Sequence, residues 1–478
     1  MKSKLFLLTG LLIVATMVLS ACQPAAPVEE PAAEEAVAEE GGAEEEAVAE
    51  EGTEETKEDV VAATEEEAPL EEQPLIAVAD TSDQKWMTKV EVKKRGAHCI
   101  NDSNCFNRYH PDIPAVAKAN PGDMIILHTR DALDAEYTYN SIPADVAATD
   151  LGLVHPMTGP VHINGAKRGD AIEVEVVDIV PDEYGYTVIV PGFGFMRDVF
   201  TEPAIIHWQL TRIGAVSSEM PGIMVPYEAF PGSIGVLPGM PEIYKIKKRE
   251  AALAGAGGAV LTPSPAGALP TSICGKNGTN KDDCLRTIPP RENGGNMDVQ
   301  QMQVGSRILF PCFIDGCGLF AGDIHYAQGD GEVAGTAIEM GTVTTLRVRK
   351  IHKGRGVKMD MPATMGNDQI IDMEPTRYYQ TVGIPLKGKG EIPPSHGYLG
   401  GEKIANLENL NEDLTIAARH AITQMIDYLV SEHGLTREKA YILCSVAVDL
   451  RIGQVVDIPN FVVTAVLNLD VFDKFRHY

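Results

Sequence analysis

The chain has 478 residues, of which 44% are apolar, and it carries 68 acidic against 40 basic side chains, a formal net charge of −28 at pH 7. This charge excludes a basic nucleic-acid-binding protein, so we expect no nucleic-acid partner. The apolar content excludes a wholly disordered chain and suffices for one large hydrophobic core or two moderate ones.

Residues 1–22 have the features of an export signal. Two lysines precede an apolar run over residues 5–19, which is shorter than the roughly 20 apolar residues of a transmembrane helix. The sequence Leu-Ser-Ala-Cys that ends at Cys22 resembles a bacterial lipobox. We therefore predict a lipoprotein that begins at a lipidated Cys22 and lies outside the cytoplasm, anchored to the cell membrane by its lipid. The alternative is an ordinary signal peptide that happens to contain this cysteine.

Residues 23–86 are predicted to form a disordered acidic spacer. Residues 23–80 hold 21 Asp and Glu against Lys57 alone, and the octet EEAVAEEG occurs at 34–41 and again at 45–52. Such a segment buries too little apolar surface to offset its ordering entropy, and its like charges keep it extended. We interpret it as a spacer that holds the folded domain, residues 87–478, away from the membrane. A solubilising tail is the other interpretation.

Short β-branched runs between glycine- and proline-rich segments predict a β-rich body. These runs are residues 124–128, 171–180, 187–190, 307–314 and 342–348. Asp315-Gly316, which stands between apolar runs, predicts a hairpin turn. Strands do not alternate with long helices, so a doubly wound parallel sheet is disfavoured.

The hydrophobic period changes near the C-terminus. Apolar residues recur every three or four positions from Leu414 to Leu429 and stop at Gly434, as in an amphipathic helix, and Thr436 is a cap for a second helix through Cys444. The predicted fold class is therefore α+β and predominantly β: a β-sandwich or barrel-like body with a C-terminal α+β portion that contains helices.

Seven cysteines follow Cys22, so at least one thiol is expected to stay free. Cys99 with Cys105, and Cys274 with Cys284, each bracket a polar loop that a disulfide could close, although free thiols remain the alternative. The surroundings of the other three cysteines are apolar and predict buried thiols, namely Cys312, Cys317 and Cys444.

The densest group of polar residues lies between positions 286 and 339, among many glycines. On a strand, Asp323 and His325 point to the same face, and Asp330 and Glu332 repeat that spacing. Asp298 follows a Gly-Gly turn. Carboxylates and an imidazole suit a divalent metal, zinc in particular, so the predicted metal ligands are Asp298, Asp323, His325 and Asp330.

The same segment supplies candidates for the chemistry around such an ion. Glu332 or Glu339 could act as a general base toward water, and Asn293 or Asn296 could donate hydrogen bonds to an oxyanion. The plainer interpretation is a set of turn carboxylates with a hydrogen-bonded structural histidine. A serine hydrolase has little support, because the sequence contains no Gly-x-Ser-x-Gly motif before a helix.

Two blocks of this segment, RTIPPRENGGNMD at 286–298 and GDIHYAQGDGEVAGTAIE at 322–339, resemble the signature blocks of the acetamidase/formamidase family, nearest to its formamidases. Five further segments agree in order: HPMTGPVHINGAKRGD at 155–170, PGFGF at 191–195, Ile206-His207-Trp208, PGSIG at 231–235 and AVDLRIGQVVDIPN at 447–460. The resemblance implies a β-rich fold, homo-oligomers, a divalent metal and hydrolysis of formamide or acetamide to the carboxylate and ammonia.

The resemblance also implies site residues. His155, His207 and Gln328 lie in matching blocks and are expected to bind substrate, although a purely structural role is the alternative for the two histidines. Asp131 is a weaker candidate ligand. The sequence departs from the family at Met297, where formamidases usually have cysteine, and at Phe230, where histidine is usual. We therefore expect a membrane-tethered, metal-dependent amidase of short aliphatic amides. The alternative is a non-catalytic lipoprotein that captures a small amide for a transporter.

Overall fold

A computed structural model describes residues 88–472, except 257–259, 355–359, 367–373, 392–403, 411–412 and 458–459. The predicted export signal, the predicted lipidation site at Cys22 and the predicted spacer lie outside the described residues. Among the residues that are described, no helix is long and apolar enough to cross a bilayer.

The described chain consists mainly of strands. The strands of the body are β1 Lys89–Val92, β2 Cys105–Phe106, β3 Arg108–Tyr109, β4 Ala117–Ala119, β5 Met124–Thr129, β6 Met157–Ile163, β7 Ala171–Ile189, β8 Ala204–Leu210, β9 Gly214–Val216, β10 Met224–Pro226, β11 Phe230–Val236, β12 Leu285–Arg286, β13 Gly294–Asn296, β14 Arg307–Pro311, β15 Leu319–His325, β16 Glu339–His352 and β17 Ala363–Met365. Two helices interrupt them, α1 Pro143–Val146 and α2 Met240–Gly255.

The C-terminal portion is a three-stranded antiparallel sheet covered by two helices. It contains β18 Tyr378–Gly383, α3 Leu414–His433, α4 Arg437–Ala447, β19 Val448–Gln454 and β20 Val462–Asn468, with β20 in the centre of the sheet. The Asp413 carboxylate caps α3 by accepting from Ile416 N at 3.0 Å, and Gly434 ends the helix at φ 65°. Thr436 caps α4, so the predicted end of α3 at Gly434 and the predicted start of α4 are confirmed, whereas α4 runs past the predicted Cys444 to Ala447.

Two long strands hold the body together because each changes partners along its length. Strand β7 pairs with β14 at its start and with β8 at its end, while β16 pairs with β15 at its start and then with β5. Strands β7 and β16 also pair with each other, with three register shifts. Such irregularities bend and twist strands, which lets one strand belong to two faces of a barrel-like body.

One hydrophobic core joins the body to the C-terminal helices. Alternate residues of the long strands are buried, for example Val174 and Val176 on β7. Their cluster includes Trp208 on β8 and extends to Met425 and Leu443 on the helices. The predicted fold class, predominantly β with a helix-containing α+β portion at the C-terminus, is confirmed.

Some local predictions are wrong. The runs at 171–180 and 187–190 form the single strand β7, and the run at 307–314 ends as a strand at Pro311. No hairpin forms at Asp315-Gly316, because β14 pairs with β7 and β17 whereas β15 pairs with β6, β11 and β16. Gly316 does turn the chain, at φ 77°.

The cysteine predictions are confirmed for five of the seven residues. Disulfides join Cys99 to Cys105 and Cys274 to Cys284, and Cys444 is a buried free thiol. The prediction of buried thiols at Cys312 and Cys317 is wrong, since these residues form a third disulfide. The turn between them brings their Cα atoms to 4.7 Å, which is within the reach of a disulfide, and apolar surroundings do not reveal such a turn.

Candidate functional site

Four neighbouring strands bring the polar residues together. Strand β15 ends with Asp323 and His325, and β11 pairs with β15 on one side and with β13 on the other. Asn296 at the end of β13, followed by Asp298, therefore lies next to the end of β15. Glu339 begins β16 directly opposite His325. The two glycine-rich stretches thus converge on one place.

Four carboxylates surround one imidazole nitrogen. From His325 Nε2, the nearest carboxylate oxygens lie at 3.3 Å on Asp323, 3.7 Å on Glu339, and 4.0 Å on both Asp298 and Glu332. His325 and Glu339 are each 1% exposed. We call these five residues the acid cluster.

Residues of strand β11 contact the acid cluster and its neighbour Asn296. Its Ser233 hydroxyl is within hydrogen-bond distance of Asn296 Oδ1, at 2.8 Å, and of Asp323 Oδ2, at 3.1 Å. A Cβ on Gly232 would lie 2.5 Å from two atoms of the His325 ring. Phe230 packs edge-on against that ring, with centroids 5.2 Å apart. The segment PGSIG and the residue before it therefore fix the position of His325.

Three acids of the cluster have a backbone conformation that favours glycine. The φ angles are 52° at Asp298, 51° at Asp323 and 41° at Glu332. Side chains at such angles cost of order 1–3 kcal/mol each, and they occur mainly where function requires the position. The fold therefore holds these carboxylates in place at a cost in stability.

Burial and mutual repulsion shift the ionisation of the cluster. Burial raises the pKa of Glu332 to about 8, and burial also raises the pKa values of Asp298 and Glu339 well above the usual range. Although burial opposes the shift, nearby carboxylates raise the pKa of His325. Attraction to His155 and His325 lowers the pKa of Asp323, again against burial. Several acids that share one buried space favour a bound cation.

The donors of the acid cluster fit a divalent metal. One oxygen or nitrogen from each of Asp298, Asp323 and His325 lies within 4.8 Å of the others, and the same holds for His325, Glu332 and Glu339. Asp298 Oδ1, His325 Nδ1 and Glu339 Oε2 are buried without a hydrogen-bond partner. A buried polar atom without a partner is costly, so atoms of this kind point to a ligand. Carboxylate and imidazole donors match zinc and similar ions.

A cavity of about 50 Å³ opens onto the acid cluster, and we call it the catalytic cavity. Its polar lining includes Asn296, Asp323, Glu332, Glu339 and His155. Most of the remaining lining is apolar, and we call these side chains the apolar wall: Ala132, Leu133, Leu151, Val154, Val190, Phe193 and Ile288. The arrangement suits a small neutral molecule that has one polar end.

Two predicted residues beside the acid cluster differ in availability. His155 is 9% exposed, its Nε2 lies 3.8 Å from Asp323 Oδ2, and its Nδ1 is buried without a partner. Burial lowers the pKa of His155. Asn293 also is buried, but its amide nitrogen already donates to Val236 O at 2.8 Å and it does not line the catalytic cavity. Asn296 is therefore the better placed amide.

The structure places three other predicted residues away from the catalytic cavity. Asp330 donates its backbone N–H to Asp449 and is not among the groups that could share an ion with His325. His207 pairs with Glu219 Oε1 at 2.9 Å. Gln328 lines a neighbouring cavity and donates its side-chain amide to Asp298 O at 3.2 Å.

Asp131, the weaker candidate ligand, anchors a loop. Its buried carboxylate accepts from Tyr186 Oη at 2.6 Å, from Leu133 N at 3.0 Å and from Ala135 N at 2.9 Å. These bonds fix the segment that carries Leu133 into the wall of the catalytic cavity.

Sequence reasoning missed Ser233 and the apolar wall. The only signal for Ser233 was its place in PGSIG, and a buried serine on a strand has no distinctive pattern. Leu133, Val190 and Ile288 come from separate loops and strand ends, so only the folded chain brings them together.

Comparisons with known proteins identify relatives that match most of this chain. The acetamidase of Mycolicibacterium smegmatis is 32% identical over 368 residues, which cover 70% of this chain and 84% of the relative. The formamidase of Methylophilus methylotrophus is 28% identical over 412 residues, covering 81% and 94%. A solved gamma lactamase from Delftia acidovorans has a TM-score of 0.71 at 28% identity, over 81% of this chain and 94% of the other. The profile of the Acetamidase/Formamidase family matches residues 89–474, and the chain therefore belongs to that family.

Proposed function

We propose that this protein hydrolyses a short aliphatic amide, of the formamide or acetamide type, to a carboxylate and ammonia. One observation carries the proposal: carboxylates, an imidazole and an amide line a small cavity whose remaining lining is mainly apolar. The names of the relatives, acetamidase and formamidase, support the same reaction.

The catalytic cavity can orient such an amide. The apolar wall favours the acyl group, because burying apolar surface is favourable, and this places the amide group toward the acid cluster. Asn296 accepts from Ser233 through its Oδ1, which leaves its NH₂ group to donate to the substrate carbonyl oxygen. A donor held in place in this way stabilises the negative charge that develops on that oxygen.

Glu332 is the better placed general base. It lines the catalytic cavity and its side chain is 19% exposed, whereas the side chain of Glu339 is 2% exposed and accepts from Ala337 N at 2.9 Å. Glu332 takes a proton from water as the water oxygen bonds to the carbonyl carbon. The carboxyl group then returns the proton to the nitrogen as the carbon–nitrogen bond breaks, which releases ammonia and the carboxylic acid.

A divalent metal, zinc in our proposal, would be held by Asp298, Asp323 and His325. When bound, such an ion polarises a carbonyl group and lowers the pKa of water. Glu339 lies 3.7 Å from the same nitrogen, His325 Nε2. Metal analysis of the purified protein, with zinc re-addition after chelation, tests this assignment independently of turnover.

We also propose that the protein is tethered by lipid at Cys22 outside the cytoplasm. The lipobox-like sequence supports this location, and so do three disulfides in the described part of the chain, because disulfides persist in oxidising compartments. Mass spectrometry of the N-terminal peptide from membranes tests it: a diacylated Cys22 is expected, and an unmodified Cys22 would contradict the tether.

The reaction is tested with the purified full chain and a series of short amides. We expect ammonia and the matching carboxylate in equal amounts from formamide or acetamide. Saturable amide binding without ammonia, in metal-loaded and folded protein, would instead support the capture protein that the sequence left open.

A further inference from the structure

A second and larger cavity lies beside the catalytic cavity. Its volume is about 620 Å³, and its lining is mainly apolar, with Ile100, Leu153, Pro265 and Leu269 among its residues. Leu133 also lines this cavity, and it is the one described residue that lines both. Leu133 therefore contacts both a small reactive space and a large, mainly apolar one.

The loop around Leu133 is held in place by its neighbours. Besides the bonds from Leu133 N and Ala135 N to Asp131, the Asp134 carboxylate accepts from Cys99 N at 2.8 Å and pairs with Arg130 Nε at 3.2 Å. Asp134 and Ala135 both have φ of 60°. Leu133 itself is 6% exposed. The loop backbone is therefore held in place, and the Leu133 side chain is packed against its neighbours.

We propose that Leu133 determines the length of the acyl group that this protein accepts. This inference rests on the proposed amide hydrolysis and names the residue that limits its substrates. With leucine at position 133, the acyl group ends at the wall. With a shorter side chain the two cavities join, and the second cavity takes the remainder of a longer acyl chain.

The chemistry of the second cavity fits this occupant. An alkyl chain that passes position 133 would meet Leu153, Pro265 and Leu269, and it would bring no charge that needs a partner. Each additional methylene group that becomes buried favours binding by about fourfold. Binding of longer linear amides should therefore improve most when the side chain at position 133 is shortened.

The test compares the wild-type protein with Leu133→Ala, using acetamide, butanamide and hexanamide. We expect the ratio of kcat/KM for hexanamide to that for acetamide to rise about tenfold or more in the variant. Leu133→Val, with an intermediate side chain, should give a smaller rise and serves if the alanine variant does not fold. Leu153→Ala is the matched control, because Leu153 lines only the second cavity, and its ratio should match the wild type.

Binding of the same amides, measured by calorimetry, tests the wall without turnover. We expect the affinity ratio of hexanamide to acetamide to rise in the Leu133 variants. An unchanged ratio in folded variants, or a wild-type protein that already prefers hexanamide, would overturn the role of Leu133. If the affinity ratio rises but no amide releases ammonia, the wall is supported and the proposed hydrolysis fails.

Discussion

Two groups of acidic side chains lie on either side of Gln328, and they differ in their hydrogen bonds. One is the acid cluster around His325. The other, which we call the Asp449 group, consists of Glu228, Asp330 and Asp449. Asp449 Oδ1 accepts from Asp330 N and Gln300 Nε2, each at 3.0 Å, and Oδ2 accepts from Arg451 at 3.1 Å.

The acid cluster has few such partners. Buried oxygen or nitrogen atoms of Asp298, His325 and Glu339 have none, and three of its acids have left-handed backbone angles. Asp449 shows that this fold can satisfy a carboxylate fully where the role is structural. Hydrogen-bond partners, and not the number of acids, therefore distinguish the structural carboxylate of Asp449 from those of the acid cluster.

The largest effect is expected from removing the centre of the acid cluster. His325→Ala and Asp323→Asn should each lower kcat/KM for the best amide by about 10³-fold or more. The first removes the imidazole and the second removes the carboxylate that are proposed to hold the ion. Ammonia release gives the rate, and metal analysis should show a parallel loss of bound ion. If either variant kept activity near that of the wild-type protein, the acid cluster would not be the reactive group.

A smaller loss is expected when His325 moves without being removed. A Cβ at position 232 would come within 2.5 Å of the His325 ring and 2.9 Å of Asp323 O, so Gly232→Ala should lower kcat/KM by about 10²-fold. Gly255→Ala is the matched control, since a Cβ there meets nothing within 4 Å. Equal activity of the two alanine variants would show that the ring position does not matter.

The Asp449 group should affect stability more than rate. Burial, with the charge of Asp449, raises the pKa of Glu228 to about 7 from its ordinary value of 4.5. The folded state therefore holds this proton more tightly than the unfolded state, so the stability that it contributes is present below pH 4.5 and is lost as the pH rises to about 7. The loss is at most about 3 kcal/mol.

Chemical unfolding between pH 4.5 and 8 measures this contribution. Glu228→Gln should flatten the fall of the free energy of unfolding over that range, relative to the wild-type protein. Parallel profiles for the two proteins would mean that Glu228 ionises normally in the folded state.

The smallest effect is expected at Asp330, which the sequence placed among the metal ligands. Asp330→Asn keeps the shape of the side chain and lies outside the acid cluster, so kcat/KM should stay within about twofold of the wild-type value. Bound metal should also be unchanged. A large loss of activity or of bound metal would instead show that Asp330 is part of the site.

Alternation on a strand is a local rule, and it predicts that Asp323 and His325 lie together, as they do, with Asp323 Oδ1 3.3 Å from His325 Nε2. The left-handed φ of 51° at Asp323 and the pairing of β11 that places Asp298 beside them could not be predicted from this rule. The same rule failed at Asp330 and Glu332, which lie in a turn where Gly331 has φ of 111° and Glu332 has φ of 41°. Alternation does not apply there, so the two side chains diverge.

Longer-range features could not be predicted in the same way. The end of α3 at Gly434 and the Thr436 cap of α4 are local features and were predicted. The disulfide between Cys312 and Cys317 depends on the shape of one turn, and the partners of β14 and β15 depend on strands far away in the sequence. Leu133 gains its place between two cavities only when separate loops meet.

The bond from Cys99 N to Asp134 has a practical consequence for anyone who prepares this protein. It links the loop that carries Leu133 to the segment closed by the Cys99–Cys105 disulfide. Protein made in a reducing bacterial cytosol would lack that disulfide. The loop that carries Leu133 would then be less firmly held, and the measured selectivity among amides would differ from that of the oxidised protein. Preparations should therefore be assayed for free thiols before their substrate ranges are compared.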